Sequence, residues 1–436
     1  MRFIQTIKNI WKIEELRRRL SITFLFILIY RFGCYVVLPG IDPNALAAAS
    51  EKMQGNGLME LLDMFSGGAF SQASVFALGI MPYITASIVV QLAGMVIPSF
   101  QKMQREGESG RMKLNQITRY LTVAILIVQS VAYLLNLRHI VASTGGNLNL
   151  TPLMYILLIV VLTAGSMFIM WLGEKITDKG LGNGISIIIL VGIIARFPSA
   201  LAQEFVARWT TQQGGLVMFL VEIIILFAVT AGGVMLTQGT RKIPVQYAKR
   251  IVGNKQYGGA RQYIPLKVNA ANVMPIIFAQ ALMMIPASLS GFFEGSSIFM
   301  DYNGFWYNVI YFLLIVAFTY FYTAVTVRPT QMAEEMKKNS GFIPGIKPGK
   351  KTAEYIDTIM SRITFPGSLF LGLVAIMPAF ARFFGVSQGF AQFFGGTSLL
   401  IMVGVVLDTL QQIETHLMMH HYDGLMKSGK VKGRSL

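Results

Sequence analysis

Charged residues are scarce in this chain of 436 residues: Asp, Glu, Lys and Arg make up 13% of it, whereas hydrophobic residues make up 54%. A soluble protein of this size usually has about a quarter of its residues charged. The low fraction excludes an ordinary soluble globular domain and predicts a polytopic membrane protein.

Cysteine and common catalytic motifs are also scarce. Cys34 is the only cysteine, so no disulfide can form within the chain. The sequence has no Walker A loop and no His-Glu-x-x-His motif. His416 and His420 have the spacing of one helix face, but a solvated helix at the membrane surface explains them better than a metal site. We expect a protein that is not an enzyme and that holds no metal and no cofactor.

The sequence contains many long apolar stretches. About ten of them have the length of roughly 19 to 25 residues that crossing the hydrocarbon requires, which predicts an all-α protein with ten transmembrane helices. The first is longer than the apolar region of a secretory signal, so we expect it to remain as a helix. The predicted spans are residues 20–38, 73–97, 118–137, 152–172, 183–202, 216–236, 270–291, 305–327, 363–381 and 395–415.

Basic residues lie mostly on one side of these spans. With the N-terminus placed inside, the outer loops hold only a few of them, namely Lys52, Arg138, Arg196, Arg208 and Arg382. Such asymmetry predicts that both termini lie in the cytoplasm. Loop 237–269 has more basic residues than are needed to fix the orientation of the chain in the membrane. It contacts anionic lipid headgroups, docks a polyanionic or acidic partner, or does both.

The spans divide into two sets of five near residues 203–215, which predicts an N-terminal half at 1–203 and a C-terminal half at 204–436. Because five is odd, the second half enters the membrane from the opposite side, as inverted repeats do. A secondary transporter of a small solute has the same architecture and is kept as an alternative.

Proline and isoleucine mark three of the spans. Pro82 lies within the second span, and Pro275 and Pro286 lie within the seventh, so these helices are expected to be kinked or broken unless their neighbours satisfy the freed carbonyl groups. Pairs of isoleucines four residues apart share a helix face in the second and fifth spans. From spacing alone, these pairs favour ordinary packing.

A shorter apolar run, residues 58–65, precedes the second span and stops at Ser66-Gly67-Gly68. It is too short to cross a bilayer. Glycine permits a tight turn, so Ser66 to Ala69 is predicted to be a hinge, and its small side chains are expected to leave little to anchor.

Four stretches resemble the SecY family, the channel subunits of bacterial Sec translocons. They are "MFSGGAFSQASVFALGIMPYITASI", "MWLGEKITDKGLGNGISIII", "GFIPGIKPGKKTAEYIDTIMSRIT" and "FGGTSLLIMVGVVLDT". The resemblance runs from about residue 20 to the tail. It implies a channel that passes unfolded secretory polypeptides across the membrane and releases hydrophobic segments sideways into the bilayer. It also implies two five-helix halves around a central hourglass pore.

The resemblance assigns roles to several groups of residues. An apolar ring at the pore constriction would consist of Ile80, Ile84, Ile185, Ile189, Ile277 and Ile401, which replaces the packing interpretation of the isoleucine pairs. A re-entrant plug at about 58–72 would include Leu61, Leu62, Met64, Phe65, Ser66, Gly67 and Gly68. We expect Glu60 and Asp63 of the plug to face water. The lateral gate would include Pro82, Thr85, Gln129, Pro275 and Gln280.

The resemblance also implies partners and a location. SecE and SecG would be companion subunits, and the SecA motor ATPase or the ribosome would dock on the basic loops 237–269 and 328–362. The chain would lie in the cytoplasmic (inner) membrane of a bacterium. Lys347 stands where the family usually has arginine, so a bidentate contact at this position is replaced by a point charge. The expected contact residues are Arg241, Lys242, Lys249, Arg250, Lys255, Lys347, Lys350 and Lys351.

Overall fold

In a computed structural model, the chain is described over residues 13–41, 62–143, 151–210, 215–247, 250–252, 255–257, 261–289 and 304–427. The helices of the N-terminal part are α1 (Glu14–Gly33), α2 (Met81–Val96), α3 (Pro98–Arg105), α4 (Glu108–Ser143), α5 (Pro152–Lys179), α6 (Gly184–Thr210) and α7 (Gly215–Gln238). Four strands follow: β1 (Thr240–Tyr247), β2 (Arg250–Val252), β3 (Lys255–Tyr257) and β4 (Arg261–Lys267). The remaining elements are α8 (Met274–Leu289), α9 (Phe305–Thr326), α10 (Pro329–Lys338), β5 (Gly341–Phe342), α11 (Lys350–Phe383), α12 (Gln388–Ala391) and α13 (Gly396–Lys427).

Seven of the described helices are long and apolar enough to cross a membrane, namely α4, α5, α6, α7, α9, α11 and α13. An eighth candidate combines α2 with α3, which are bent by 101° at the break between them. Helix α8 is apolar but shorter. The prediction of a helical polytopic membrane protein is confirmed, whereas the count of ten spans stays a prediction.

The second predicted span begins later as a helix than its apolar sequence suggests. Residues 66–80 form turns, and α2 begins only at Met81. Ala73 and Gly79 have φ values of 42° and 57°, which a right-handed helix does not accommodate. Hydropathy alone cannot detect this, because residues 73–80 are as apolar as the helix that follows them.

The predicted second and seventh spans are broken just before Pro82 and Pro275, not kinked at them. Both prolines lie at the start of their helices, in α2 and α8, where the missing N–H has no intrahelical acceptor to lose. Pro286 does lie within α8. Internal prolines that the sequence analysis did not single out are Pro198 in α6 and Pro366 and Pro378 in α11.

The chain divides into two compact units, Met1–Gln203 with Val405–Leu436, and Glu204–Gly404. The core of the first unit lies where α4 and α5 pack against residues 70–77. Its fully enclosed side chains include Leu134, Leu158 and Leu162. The predicted division of the sequence at residue 203 into two halves stays a prediction.

In the second unit, much of the basic loop 237–269 is an antiparallel sheet. Strand β1 pairs with β4 in the register Ile243 with Ile264, and β5 extends the other edge of β1. Strands β2 and β3 form a separate hairpin. Side chains from β1, β4, α10 and α11 enclose a small apolar core under the sheet. The sequence analysis treated this region only as a charged loop.

A buried ionic cluster lies at the end of α6 within the second unit. The Arg208 guanidinium donates to Glu204 Oε1 at 2.9 Å, to Glu222 Oε1 at 2.5 Å and to the Gly385 carbonyl at 2.9 Å. The other Glu204 oxygen accepts from Ser387 N at 2.9 Å. This cluster ties α6, α7 and the turn after α11 together. It also gives the buried Glu222 a partner.

Replacement of Arg208 by Met should destabilise the second unit by about 3–5 kcal/mol, because two buried carboxylates lose their counter-charge. The measurement is thermal unfolding of the purified protein in detergent, monitored by circular dichroism. Arg382→Met serves as the control, since no ion pair of Arg382 is present within the described part of the chain. Equal melting temperatures for Arg208→Met and the control would contradict a stabilising role.

Candidate functional site

The predicted plug corresponds in the structure to a compact run of turns, residues 62–80, here named the 62–80 segment. One helical turn spans 62–65, and left-handed φ values of 67° at Gly67 and 95° at Gly68 reverse the chain. Ser66 Oγ donates to the Asp63 carbonyl at 3.1 Å and accepts from Phe70 N at 3.0 Å. The predicted glycine turn is therefore present. Leu61 and residues 58–60 lie outside the described residues.

Helix α1 holds the middle of this segment through its main-chain carbonyl groups. The Tyr30 hydroxyl donates to the Ser66 carbonyl at 3.1 Å, and Arg31 Nη1 donates to the Gly67 carbonyl at 2.8 Å. Tyr30 is buried, and its ring stacks on Phe76 with 6.2 Å between the centroids. Arg31 thus binds the turn.

Helices α4 and α6 hold the two ends of the turn. The Tyr133 hydroxyl of α4 donates to the Phe70 carbonyl at 2.8 Å. The Arg196 guanidinium of α6 forms an ion pair with Asp63 and donates to Ser71 Oγ at 3.0 Å. Three helices of the first unit therefore contribute side-chain donors to the same short segment.

The expectation that Asp63 faces water is wrong. Asp63 is only 7% exposed, because Arg196 and the Ser71 amide, which donates to Asp63 Oδ1 at 2.7 Å, replace its water. The expectation that small side chains leave little to anchor is also wrong. Here the acceptors are main-chain carbonyl groups, which every residue carries whatever its side chain.

Glycines on the surrounding helices let the segment approach closely. A Cβ atom on Gly192 of α6 would lie 2.8 Å from the Phe65 carbonyl oxygen, and one on Gly165 of α5 would lie 2.2 Å from the Val75 carbonyl oxygen. Gly33 of α1 faces the ring of Phe76 in the same way. Any larger residue at these positions would push the segment away from its helix.

The six isoleucines of the predicted ring lie near the starts of apolar helices. In the first unit, Ile84 N donates to the Ile80 carbonyl at 3.2 Å, so the two residues are stacked on one face, and Ile185 and Ile189 lie in the first turns of α6. In the second unit, Ile277 lies in the first turn of α8 and Ile401 in the second turn of α13. That these six residues form one ring stays a prediction.

The predicted gate residues have ordinary local environments. Thr85 Oγ1 donates to the Met81 carbonyl of its own helix at 3.1 Å. Gln129 is half-buried on α4, and Gln280 is buried on α8. Their role in a lateral gate stays a prediction.

The predicted docking cations lie on the sheet and on the loop before α11. Arg241 and Lys242 are exposed on β1, and Lys347, Lys350 and Lys351 are exposed around the start of α11. Thr352 Oγ1 donates to the Lys347 carbonyl at 3.0 Å, which fixes the loop that presents Lys347. Arg250 and Lys255 occupy β2 and β3, and Lys249 lies outside the described residues.

One short motif resembles a catalytic one. Gly385 to Gly389 has the Gly-x-Ser-x-Gly spacing that marks the nucleophilic serine of many hydrolases. Here it links α11 to α12, with no strand before it, and the Ser387 amide belongs to the ionic cluster through Glu204. The motif is explained by the turn that it forms.

Comparison with known proteins identifies the family. A family model described as SecY matches residues 74–410. The chain belongs to the SecY family. The protein translocase subunit SecY of Streptomyces galbus is 44% identical over 437 residues, which cover 96% of this chain and 98% of that protein. The SecY family expected from the four motifs is thus confirmed.

Solved structures share the fold. One concerns the plug domain of a SecY protein, which stabilises the closed state of the translocation channel and maintains a membrane seal. It matches with a TM-score of 0.62 at 19% identity and covers 92% of each chain. Sec61 in a canine ribosome-channel complex matches with a TM-score of 0.58 at 18% identity, again over 92% of each chain.

The sequence analysis missed most residues that hold the 62–80 segment. Arg196 was counted only as one of the few cations in the outer loops, and Tyr30 and Tyr133 were not noticed among the many aromatic residues of the spans. The available signal was weak: an arginine near the end of an apolar span, and an acid in a run too short to cross the bilayer.

Proposed function

We propose that this chain forms the protein-conducting channel of a bacterial translocase. It passes unfolded secretory polypeptides across the membrane and releases hydrophobic segments into the bilayer. The carrying observation is the 62–80 segment, a stretch of turns among membrane helices. Side chains of α1 and α4 bind its carbonyl groups, and Arg196 of α6 binds its Asp63 and Ser71 side chains. Irregular backbone at this depth is tolerated only inside protein or beside a water-filled cavity. Membership of the SecY family favours the channel over a small-solute transporter.

The six predicted ring isoleucines suit this function chemically. A translocating chain cannot cross hydrocarbon, because each unsatisfied peptide group costs several kcal/mol there. It therefore needs an aqueous path, and a narrow apolar constriction in that path dewets and resists ion flow. An isoleucine side chain carries no charge and forms no hydrogen bond, so side chains of any kind can move past it without being bound.

The 62–80 segment would close this path at rest. Its attachment is polar, through an ion pair and hydrogen bonds to carbonyl groups, and each of these groups can be solvated by water once the segment leaves. Packing against the ring isoleucines would add apolar contact. Such an attachment holds a resting seal and still allows release when a polypeptide enters.

A stalled secretory precursor that carries a photocrosslinker tests the channel directly. Crosslinks are expected at Ile84, Ile189 and Ile277. Ile224 of α7, which is 66% exposed on the surface of the second unit, is the matched control and should not be marked. Crosslinks confined to residues such as Ile224, with none at the three ring positions, would contradict the proposed path.

The partners and location follow from the family. We propose that SecE and SecG assemble with the chain, and that SecA or a translating ribosome docks on its basic loops. The chain would supply the path while the motor supplies the energy, so the chain itself is not an enzyme. Its membrane would be the cytoplasmic membrane of a bacterium, with both termini in the cytoplasm.

A Lys347→Glu variant tests the docking surface. Lys347 is exposed, and its loop is fixed by Thr352, so charge reversal should leave the fold unchanged and slow motor association by about tenfold through lost electrostatic steering. The measurement is SecA binding to reconstituted channels at low and at high salt. Lys179→Glu, an exposed cation at the end of α5 and outside both basic loops, is the control. Normal binding by Lys347→Glu would remove this residue from the docking surface.

A further inference from the structure

A cavity of about 590 Å³ lies within the second unit, where β4, the end of α9 and the start of α10 meet. This volume is in the range of small-molecule sites in proteins. None of the residues that line it belongs to the predicted ring, plug or gate, and none is one of the eight expected contact residues of the two docking loops. The lining residues are Pro265, Leu266, Lys267, Ala270, Val325, Thr326, Val327, Arg328, Gln331, Met332, Glu335 and Met360.

The floor of the cavity is apolar. Leu266 and Met360 are buried members of the core beneath the sheet, and Val327 and Met332 pack against that core. A ligand that fits here therefore presents an apolar part as well as a polar one. A free inorganic ion would leave this floor uncovered.

The cavity lies at one end of α9 and beside α11, two helices that are long and apolar enough to cross a membrane. Helix α9 is apolar up to Thr326 and exposes Tyr320 and Phe321 near this end, in the manner of aromatic residues at a membrane interface. The apolar part of α11 begins just after Met360. Since both helices enter the hydrocarbon next to the cavity, a lipid headgroup is the ambient ligand that can reach it.

The rim of the cavity carries two cations and one anion. Lys267 and Arg328 are exposed, and neither forms an ion pair with another residue in the described ranges. Glu335 lies one helical turn beyond Gln331 on α10 and reduces the net charge of the rim to one positive charge. This charge matches a single phosphodiester group better than a polyanion.

We propose that this cavity binds the headgroup of an anionic glycerophospholipid. The phosphodiester would lie between Lys267 and Arg328, and the glycerol backbone and upper acyl carbons would cover Leu266, Met332 and Met360. Arginine suits the phosphate because its guanidinium can donate two parallel hydrogen bonds. The proposal does not depend on the translocation function, because it rests only on the cavity and on its expected position near the membrane surface.

The test is native mass spectrometry of the full chain, purified with its companion subunits and titrated with phosphatidylglycerol or phosphatidylcholine. Phosphatidylglycerol is expected to bind more tightly. The double variant Lys267→Gln with Arg328→Gln should bind it about thirtyfold more weakly, since each cation near a membrane surface contributes about fivefold. The double variant Lys337→Gln with Lys338→Gln removes the same charge from the far end of α10 and should bind like the parent.

One further variant and one competition experiment complete the test. Glu335→Gln should tighten phosphatidylglycerol binding, a gain that damage to the fold would not produce. Inorganic phosphate should not displace the lipid. Equal phosphatidylglycerol binding by all variants, displacement by inorganic phosphate, or equal loss of both lipids in the Lys267 and Arg328 variant would overturn the proposal. So would a loss of SecA or ribosome binding with lipid binding unchanged, since the cavity would then bind protein.

Discussion

Replacement of Arg196 by Gln is expected to make the resting channel leak ions. Asp63 would keep its place in the 62–80 segment but lose its counter-charge, which penalises the closed position. Because Arg196 is one-third exposed, the penalty is smaller than for a fully buried pair, about 2–3 kcal/mol. This corresponds to about a 30- to 160-fold shift from closed to open. The measurement is single-channel conductance of reconstituted resting channels in planar bilayers.

Two comparisons separate this effect from general damage. Arg138→Gln removes an exposed cation at the end of α4, on the side of the membrane predicted for Arg196, and should leave the resting conductance unchanged. Adding Asp63→Asn to Arg196→Gln removes the uncompensated carboxylate and should restore part of the seal. Equal resting conductance in the parent and in Arg196→Gln would show that the ion pair does not hold the segment.

Replacement of Gly192 by Val is the second change with a large expected effect. The new Cβ would lie 2.8 Å from the Phe65 carbonyl oxygen, closer than Cβ atoms approach other atoms, and 3.2 Å from Gly67 N, which is a tight contact. Both neighbours are backbone atoms, so the segment as a whole must move away from α6. That movement would also stretch the contacts of Arg196 and Arg31, and the resting seal should be lost.

Cys34 reports this movement directly. Its thiol is buried, and its Sγ atom lies 3.7 Å from the Ser66 carbonyl oxygen, under the segment. In Gly192→Val, a water-soluble maleimide should label Cys34 at least about tenfold faster than in the parent, because labelling of a buried thiol follows the open population. Ser199→Val places the same side chain on an exposed site of α6 and should leave labelling slow. Slow labelling of both variants would contradict the close approach at Gly192.

The membrane class of the fold was accessible from the sequence because hydropathy reports directly on burial in hydrocarbon. The residue at which α2 begins could not be predicted from hydropathy. Residues 73–80, where the predicted span begins, are as apolar as the helix after them, and the backbone conformations at Ala73 and Gly79 interrupt the helical pattern. Pro82 carried the relevant signal. A proline within an apolar run marks the first turn of a helix at least as well as a kink.

The position of the candidate site in the sequence was predictable, but the side chains that contact it were not. The glycine turn and the short apolar run located the 62–80 segment, and the family resemblance gave it a role. The side chains that hold it come from helices distant in sequence: Tyr30 and Arg31 on α1, Tyr133 on α4 and Arg196 on α6. Their partners are mostly main-chain carbonyl groups, which leave no trace in the sequence. Asp63 was placed in water because its partner was unknown.

The strands β1 and β4 were missed for a different reason. Their alternation of exposed and buried residues is short, and the many cations of the region favoured a solvated loop. The sheet places Arg241 and Lys242 on a rigid support rather than on a mobile loop. Docking at these residues would therefore lose little conformational entropy.

The labelling rate of Cys34 in the working channel tests the central claim most directly, namely that the 62–80 segment closes the resting path and leaves when a polypeptide enters. The channel is assembled with cysteine-free companion subunits, and a cysteine-free secretory precursor is stalled within it. Maleimide should label Cys34 slowly in resting channels and at least about tenfold faster in stalled ones. Equal, slow labelling in both states would show that the segment stays in place during translocation and would contradict the proposed mechanism.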